Sequence, residues 1–139
     1  MYAQPYEPFL RPARDSPRLC FSHRYRRDTF VPAEDSSYRE CLDLLLPKLA
    51  SGACVLDLGC GCGVPVAREL SDHHSVAGID ISPVQIARAS SLVPDAEFLC
   101  ADMATLELPE GQFDAIVSFY AIIHVPLEEQ RPLFGRIAA

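Results

Sequence analysis

From residue 53 onward, short apolar runs alternate with stretches of helical spacing, and that rhythm predicts a layered α/β domain. Ahead of it, Tyr38, Cys41, Leu42, Leu44, Leu45 and Leu49 recur at helical intervals. They predict a helix that starts near Ala33-Glu34-Asp35-Ser36, runs to about Ala50 and stops at Ser51-Gly52. Ala53–Leu58 is almost continuously apolar, as expected of a strand buried on both faces. A helix should follow from about Val64 to Leu70, with Pro65 in its first turn, where a missing N–H costs nothing. Ser75–Asp80 reads as a second strand, and Ser82-Pro83-Val84-Gln85 as a capping box opening a helix to about Leu92. Ala96–Ala101 is a third strand, and Phe113–Phe119 a fourth after the turn Pro109-Glu110-Gly111. A last helix begins between Pro126 and Pro132. This order implies a mostly parallel sheet of about four strands, with right-handed crossovers and helices on both faces. Ligands bind such sheets at the carboxyl ends of the strands, near the point where strand order reverses.

Residues 1–32 break the rhythm. They hold five of the twelve prolines and lack a sustained apolar period, so they read as an extension preceding the domain of residues 33–139. Seven of the eleven arginines fall within the first 39 residues, including Arg24-Tyr25-Arg26-Arg27, which makes this arm locally basic. A solvated, flexible arm is the expectation. A basic docking arm or a transit peptide are the alternatives, and Glu7, Asp15 and Asp28 count against the second. The start, Met1-Tyr2-Ala3-Gln4-Pro5, has no apolar signal core, which predicts a cytoplasmic protein. No apolar run approaches the roughly 18–20 residues of a membrane span. The net charge of −7 argues against a broad nucleic-acid-binding surface. Of the six cysteines, Cys60 and Cys62 stand closest, but a one-residue spacer with no second pair is not zinc-site spacing. They read as free thiols filling tight loop positions, and no metal site is expected.

The chemistry concentrates after the first strand. A glycine-rich turn there brings backbone N–H groups and a helix start close to a ligand. The spacing Gly59-x-Gly61-x-Gly63 puts Val64 or Val66 where a dinucleotide fingerprint wants its third glycine or alanine, and no Gly-Lys-Ser/Thr follows. Asp57, two residues before the first glycine, would repel a pyrophosphate and suits a cationic ligand, although it can also cap the loop. Asp80 ends the second strand, where an acid can accept bonds from two ribose hydroxyls or serve the helix start at Ser82. Asp102 ends the third strand, where it can meet an adenine amino group or cap a turn. Three strand-end aspartates beside one glycine loop form a far more specific pattern than any one of them.

That pattern resembles the class I S-adenosylmethionine-dependent methyltransferases, in particular their small-molecule branch. The similarity runs from Val55-Leu56-Asp57-Leu58-Gly59-Cys60-Gly61-Cys62-Gly63 through Val76-Ala77-Gly78-Ile79-Asp80-Ile81-Ser82. It continues in Phe98-Leu99-Cys100-Ala101-Asp102-Met103 and Phe113-Asp114-Ala115-Ile116-Val117-Ser118. The resemblance implies a Rossmann-like fold, S-adenosylmethionine as cofactor and a small-molecule methyl acceptor. It implies that Asp57 and the glycines Gly59, Gly61 and Gly63 hold the methionine end, Asp80 the ribose, and Asp102 and Met103 the adenine, with Cys60 and Ile81 also among the cofactor-binding residues. Phe119, in the segment Phe119–His124, would pass the reactive methyl, which moves by in-line displacement while adenosylhomocysteine leaves. A base is needed only for a protonated acceptor, and His124 is the nearby candidate, while Tyr120 lines the pocket or packs. His73 and His74 are expected in a solvated loop away from the site.

The family's sheet continues past the point where this sequence stops, Arg136-Ile137-Ala138-Ala139, inside the helix after the fourth strand. The expectation is therefore an incomplete, C-terminally truncated domain carrying the cofactor half. Its fourth strand would offer an apolar edge (Ala115, Ile116, Val117, Phe119) for self-association or a partner chain. Two rival readings stay open: a non-catalytic cofactor-binding module that needs a partner, and a nicotinamide-dependent oxidoreductase.

Overall fold

A computed structural model describes residues 36–139. The extension predicted over 1–32 and the helix start expected at 33–35 lie outside the described residues, as does Cys20.

Helix α1 (Ser36–Leu45) buries Tyr38 and Leu42, one turn apart, and is followed by a short 3-10 turn over Leu46–Lys48. The predicted helix to Ala50 ends sooner because Pro47 has no N–H to continue the ladder. Cys41 and Leu44, counted in the apolar period, face outward, and Leu44 is 70% exposed. Strands β1 (Cys54–Leu58), β2 (Ser75–Asp80), β3 (Glu97–Cys100) and β4 (Ala115–Val117) pair in parallel in the order β3-β2-β1-β4. Both outer strands are shorter than their apolar runs predict, whereas β2 has the predicted bounds.

Helix α2 (Val66–Ser71) begins two residues later than expected, with Pro65 as its N-cap rather than within its first turn. Helix α3 (Pro83–Leu92) has the predicted bounds, and the Gln85 N–H donates to Ser82 Oγ at 3.4 Å. The reciprocal half of the capping box does not form. The Ser82 N–H donates to Asp80 Oδ1 at 2.9 Å instead, and Gln85 Oε1 is buried without a partner. A charged acceptor outcompetes a neutral amide oxygen for that donor. Helix α4 (Leu127–Ile137) starts right after Pro126 and tolerates Pro132 inside it.

Alternate residues of β1 and β2 serve opposite faces, as the period of a strand requires. Val55 and Val76 join Tyr38, Leu42, Val66, Ala67 and Leu70 on the face covered by α1 and α2. Leu56, Leu58, Ala77 and Ile79 pack with Leu106, Val125 and Leu133 on the face covered by α4. Asp114 fastens the start of the β1–β4 pair: Cys54 N–H donates to its carboxylate and its own N–H donates to the Cys54 carbonyl, both at 2.8 Å. Among the described residues β4 pairs with β1 alone, and no helix is long and apolar enough to cross a membrane.

Gly78 sits opposite Phe98 in the β2–β3 register, and the phenyl ring lies over it. A Cβ at Gly78 would come within 2.7 Å of that ring and 2.9 Å of Cys60 Sγ. Gly78→Ala should therefore lower unfolding stability by about 1–3 kcal/mol through overpacking. Urea titration followed by circular dichroism checks this, and an unchanged midpoint would contradict the close packing.

Candidate functional site

β1 has β2 on one side and β4 on the other, so the sheet's order reverses beside its carboxyl end. The glycine loop begins there and is fixed by β2. The N–H groups of Gly59 and Cys60 both donate to the Ile79 carbonyl, at 2.7 and 2.9 Å, and the Gly61 N–H donates to Asp80 Oδ2 at 2.9 Å. Gly59 and Gly61 have φ of +77° and +57°, a region costly for other residues. At Gly59 a Cβ would also run into the Ala121 Cβ at 2.1 Å, so the segment after β4 seats directly on the loop. At Gly61 a Cβ would meet nothing within 4 Å, which leaves space for a ligand to approach the backbone.

The predicted residues gather unevenly around this loop. Asp57 is 2% exposed and lines a cavity of about 30 Å³ with Gly59, Cys60, Gly61 and Phe119. Asp80 stands at the neighbouring strand end, between the loop and the start of α3. Asp102 follows β3 and caps its own turn, accepting from the Ala104 N–H at 2.9 Å. Met103 reaches back to the loop, its methyl 3.1 Å from where a Gly59 Cβ would lie. Ile81 is 46% exposed beside Asp80, and Gly63 packs under Phe98 and Val93.

Tyr120 and His124 stand apart from the cavity. Tyr120 is exposed, adopts φ +56° and places its hydroxyl 3.2 Å from Ser37 Oγ. His124 ends an exposed 3-10 turn, Ile122–His124. His74 departs from the solvated reading, since its Nδ1 is buried without a partner, while His73 is exposed. Sequence reasoning missed Tyr38, which lines the cavity from α1 together with Cys62, Val64, Pro65 and Val66. Its helical spacing marked it as core, and it does pack there; nothing local signals its contact with Phe119.

A methyltransferase-domain profile matches residues 55–139, which include the loop, all three aspartates and the segment after β4. The chain belongs to the methyltransferase-domain family. It is 40% identical over 85 residues to a 2-methyl-6-phytyl-1,4-hydroquinone methyltransferase of Synechocystis, covering 58% of this chain and 27% of that protein. It is 36% identical over 102 residues to an uncharacterised methyltransferase of Mycobacterium tuberculosis, covering 72% and 50%. This methyltransferase domain also superposes on a solved S-adenosylmethionine-dependent methyltransferase of Mesorhizobium loti with a TM-score of 0.66 at 30% identity, covering 77% and 49%. A DhpI–SAH complex gives a TM-score of 0.67 at 29% identity, covering 80% and 54%. The chain thus spans half or less of the length of the two curated relatives.

Among the described residues the loop cysteines form no disulfide, nor do Cys41, Cys54 and Cys100. Burial first, then the Asp57 and Asp80 carboxylates, push the Cys60 thiol far above its ordinary value of 9.0, so it stays protonated and unreactive. A raised folded value means that Cys60 stabilises the fold fully below about pH 9. That contribution is lost at higher pH, where the unfolded thiol ionises and the folded one does not. Unfolding free energy should therefore fall from pH 9 to 10.5 by about 1.4 kcal/mol per pH unit more steeply in the native chain than in Cys60→Ala. Parallel slopes in denaturant melts would contradict it.

Proposed function

We propose that this chain binds S-adenosylmethionine across the ends of β1, β2 and β3 and serves methyl transfer to a small molecule. The observation that carries the reading is the set of three carboxylates at successive parallel strand ends, beside a loop whose backbone β2 holds open. In this reading Asp57 receives the ammonium of the methionine end and the glycine backbone lies along it. Asp80 takes the ribose hydroxyls. Each of its oxygens already accepts one backbone N–H, and an ionised carboxylate has about four acceptor sites, so capacity remains. Asp102, with its turn already capped through Oδ1, presents its other oxygen to the adenine amino group, and Met103 packs on the ring.

When bound, the cofactor supplies the activated methyl; the chain's own residues orient it, exclude water and hold the acceptor in line. Phe119 lines the cavity on the side where the acceptor would enter. Tyr120 and His124 follow in the same segment but outside the cavity, so His124 would serve as base for a protonated acceptor, and Tyr120 as a wall, only if the bound acceptor extends to them. A small-molecule acceptor is supported by the hydroquinone named for the Synechocystis relative. The edge of β4 that is unpaired among the described residues is where a further strand or a partner chain would extend the sheet.

Calorimetric titration with S-adenosylhomocysteine tests the reading. The native chain should bind, and Asp80→Ala should weaken binding by about 1–3 kcal/mol, leaving ribose hydroxyls unpaired and the loop unanchored. A folded native chain that binds NADH but not S-adenosylhomocysteine would overturn it. Methylation of any acceptor by this chain would exclude a purely non-catalytic module.

A further inference from the structure

The inner side of α4 carries polar groups where an apolar stripe would suffice. Leu133 is fully buried against the sheet, and Gln130 and Arg136, three residues to either side of it, are half-buried. Both direct their donors at backbone carbonyls of neighbouring segments. Gln130 Nε2 donates to the Val125 carbonyl at 2.9 Å and to that of Ile122 at 3.4 Å, which ties α4 to the turn after β4. One guanidinium nitrogen of Arg136 donates to the Met103 carbonyl at 3.3 Å and, more closely, to that of Ala104. Among the described residues Arg136 has no carboxylate partner, and its Nε is buried without a hydrogen bond. Its charge is therefore spent on two peptide groups.

Those groups belong to the turn that presents Asp102. The Met103 carbonyl and the Ala104 N–H are the two ends of one peptide, and that N–H donates to Asp102 Oδ1 at 2.9 Å. The chain of contacts runs from guanidinium to peptide to carboxylate. A cation at the carbonyl end polarises the peptide, makes its N–H a stronger donor and tightens the bond to Oδ1. The far end of the turn is fixed as well, since the Thr105 and Leu106 N–H groups donate to the Asp102 carbonyl and Leu106 is buried in the same cluster as Leu133. We infer that Arg136 is a positioning residue that acts through the Met103–Ala104 peptide on Asp102, so that the carboxylate selects a base bearing an exocyclic amino group. This rests on the cofactor reading above and brings the last turn of α4 into it. A carboxylate pinned at one oxygen accepts from the amino group of adenine and repels the carbonyl oxygen that hypoxanthine carries at the same place. A loosened one can swing to the ring N–H of hypoxanthine and lose that discrimination.

The experiment compares the affinities of S-adenosylhomocysteine and S-inosylhomocysteine for the full chain by calorimetry. The native protein, Arg136→Met and Arg136→Lys are each confirmed folded by a thermal melt. The native chain should prefer the adenosyl ligand, and Arg136→Met should lower that preference about 3- to 30-fold. Arg136→Lys keeps a cation in reach of the carbonyls and should retain most of it. In the ligand-free chain, Arg136→Met should also move the Ala104 amide proton upfield, the mark of weaker donation to Oδ1. If Arg136→Met does not fold, Arg136→Gln, which keeps a neutral donor, should show a smaller fall in the same ratio. A role in stability alone would weaken both ligands equally; that result, or an unmoved Ala104 amide, would overturn the inference while leaving the cofactor reading intact. Failure of the folded native chain to bind S-adenosylhomocysteine would overturn the cofactor reading, and the base selectivity with it.

Discussion

The carboxylate of Asp80 joins the end of β2, the glycine loop and the start of α3. Through one oxygen it holds the Gly61 N–H, and through the other the Ser82 N–H at the start of α3, each at 2.9 Å. Together with the Ile79 carbonyl, which accepts from Gly59 and Cys60, it sets the path of a loop whose left-handed glycines give it no local preference for that path. Bonds to an ionised acceptor are about twice as strong as neutral ones, which explains why Asp80 takes the Ser82 donor and leaves Gln85 out of the capping box. In the proposed reading the residue that fixes the loop would also take the ribose, so the loop's shape and its ligand chemistry would share one group.

The parallel order β3-β2-β1-β4 makes that arrangement possible. It sets the ends of β1 and β2 side by side and puts the reversal of strand order at β1, where the segment after β4 folds back onto Gly59. Strand alternation then decides which side each charge meets. Asp57 lies on the face of Val55, the face covered by α1, and lines one cavity with Tyr38. A one-residue shift in β1 would bury this carboxylate among the leucines of the other face. The apolar walls have an electrostatic consequence at Cys60, whose thiol is kept neutral between two carboxylates.

Much of this was legible in the sequence, because β1 to β3, α3 and the loop are specified by local signals. Apolar runs, a cap and glycines at left-handed positions lie within a few residues of one another. The strand-end positions of the three aspartates were legible as a set, and two of them do the structural work weighed beside a functional role: Asp80 accepts from the Ser82 N–H at the start of α3, and Asp102 caps its turn. What was not legible depends on distant partners. Tyr38 meets Phe119 across most of the domain, and helical spacing alone assigns such a ring to the core. Leu44 and Cys41 fit the same spacing and face solvent, because α1 is covered on one side only. The end of α1 moved where Pro47 interrupts backbone bonding, and the start of α2 moved to just after Pro65, details that propensity places only to within a turn.

The central claim is that one ligand engages the glycine loop and the three strand ends together. Backbone amide shifts of the 15N-labelled chain during titration with S-adenosylhomocysteine test it most directly. Gly59, Gly61, Ser82 and Ala104 should shift along one binding curve, because they report the loop, Asp80 and Asp102. Shifts confined to the loop, or none at saturating ligand in a folded chain, would contradict the account.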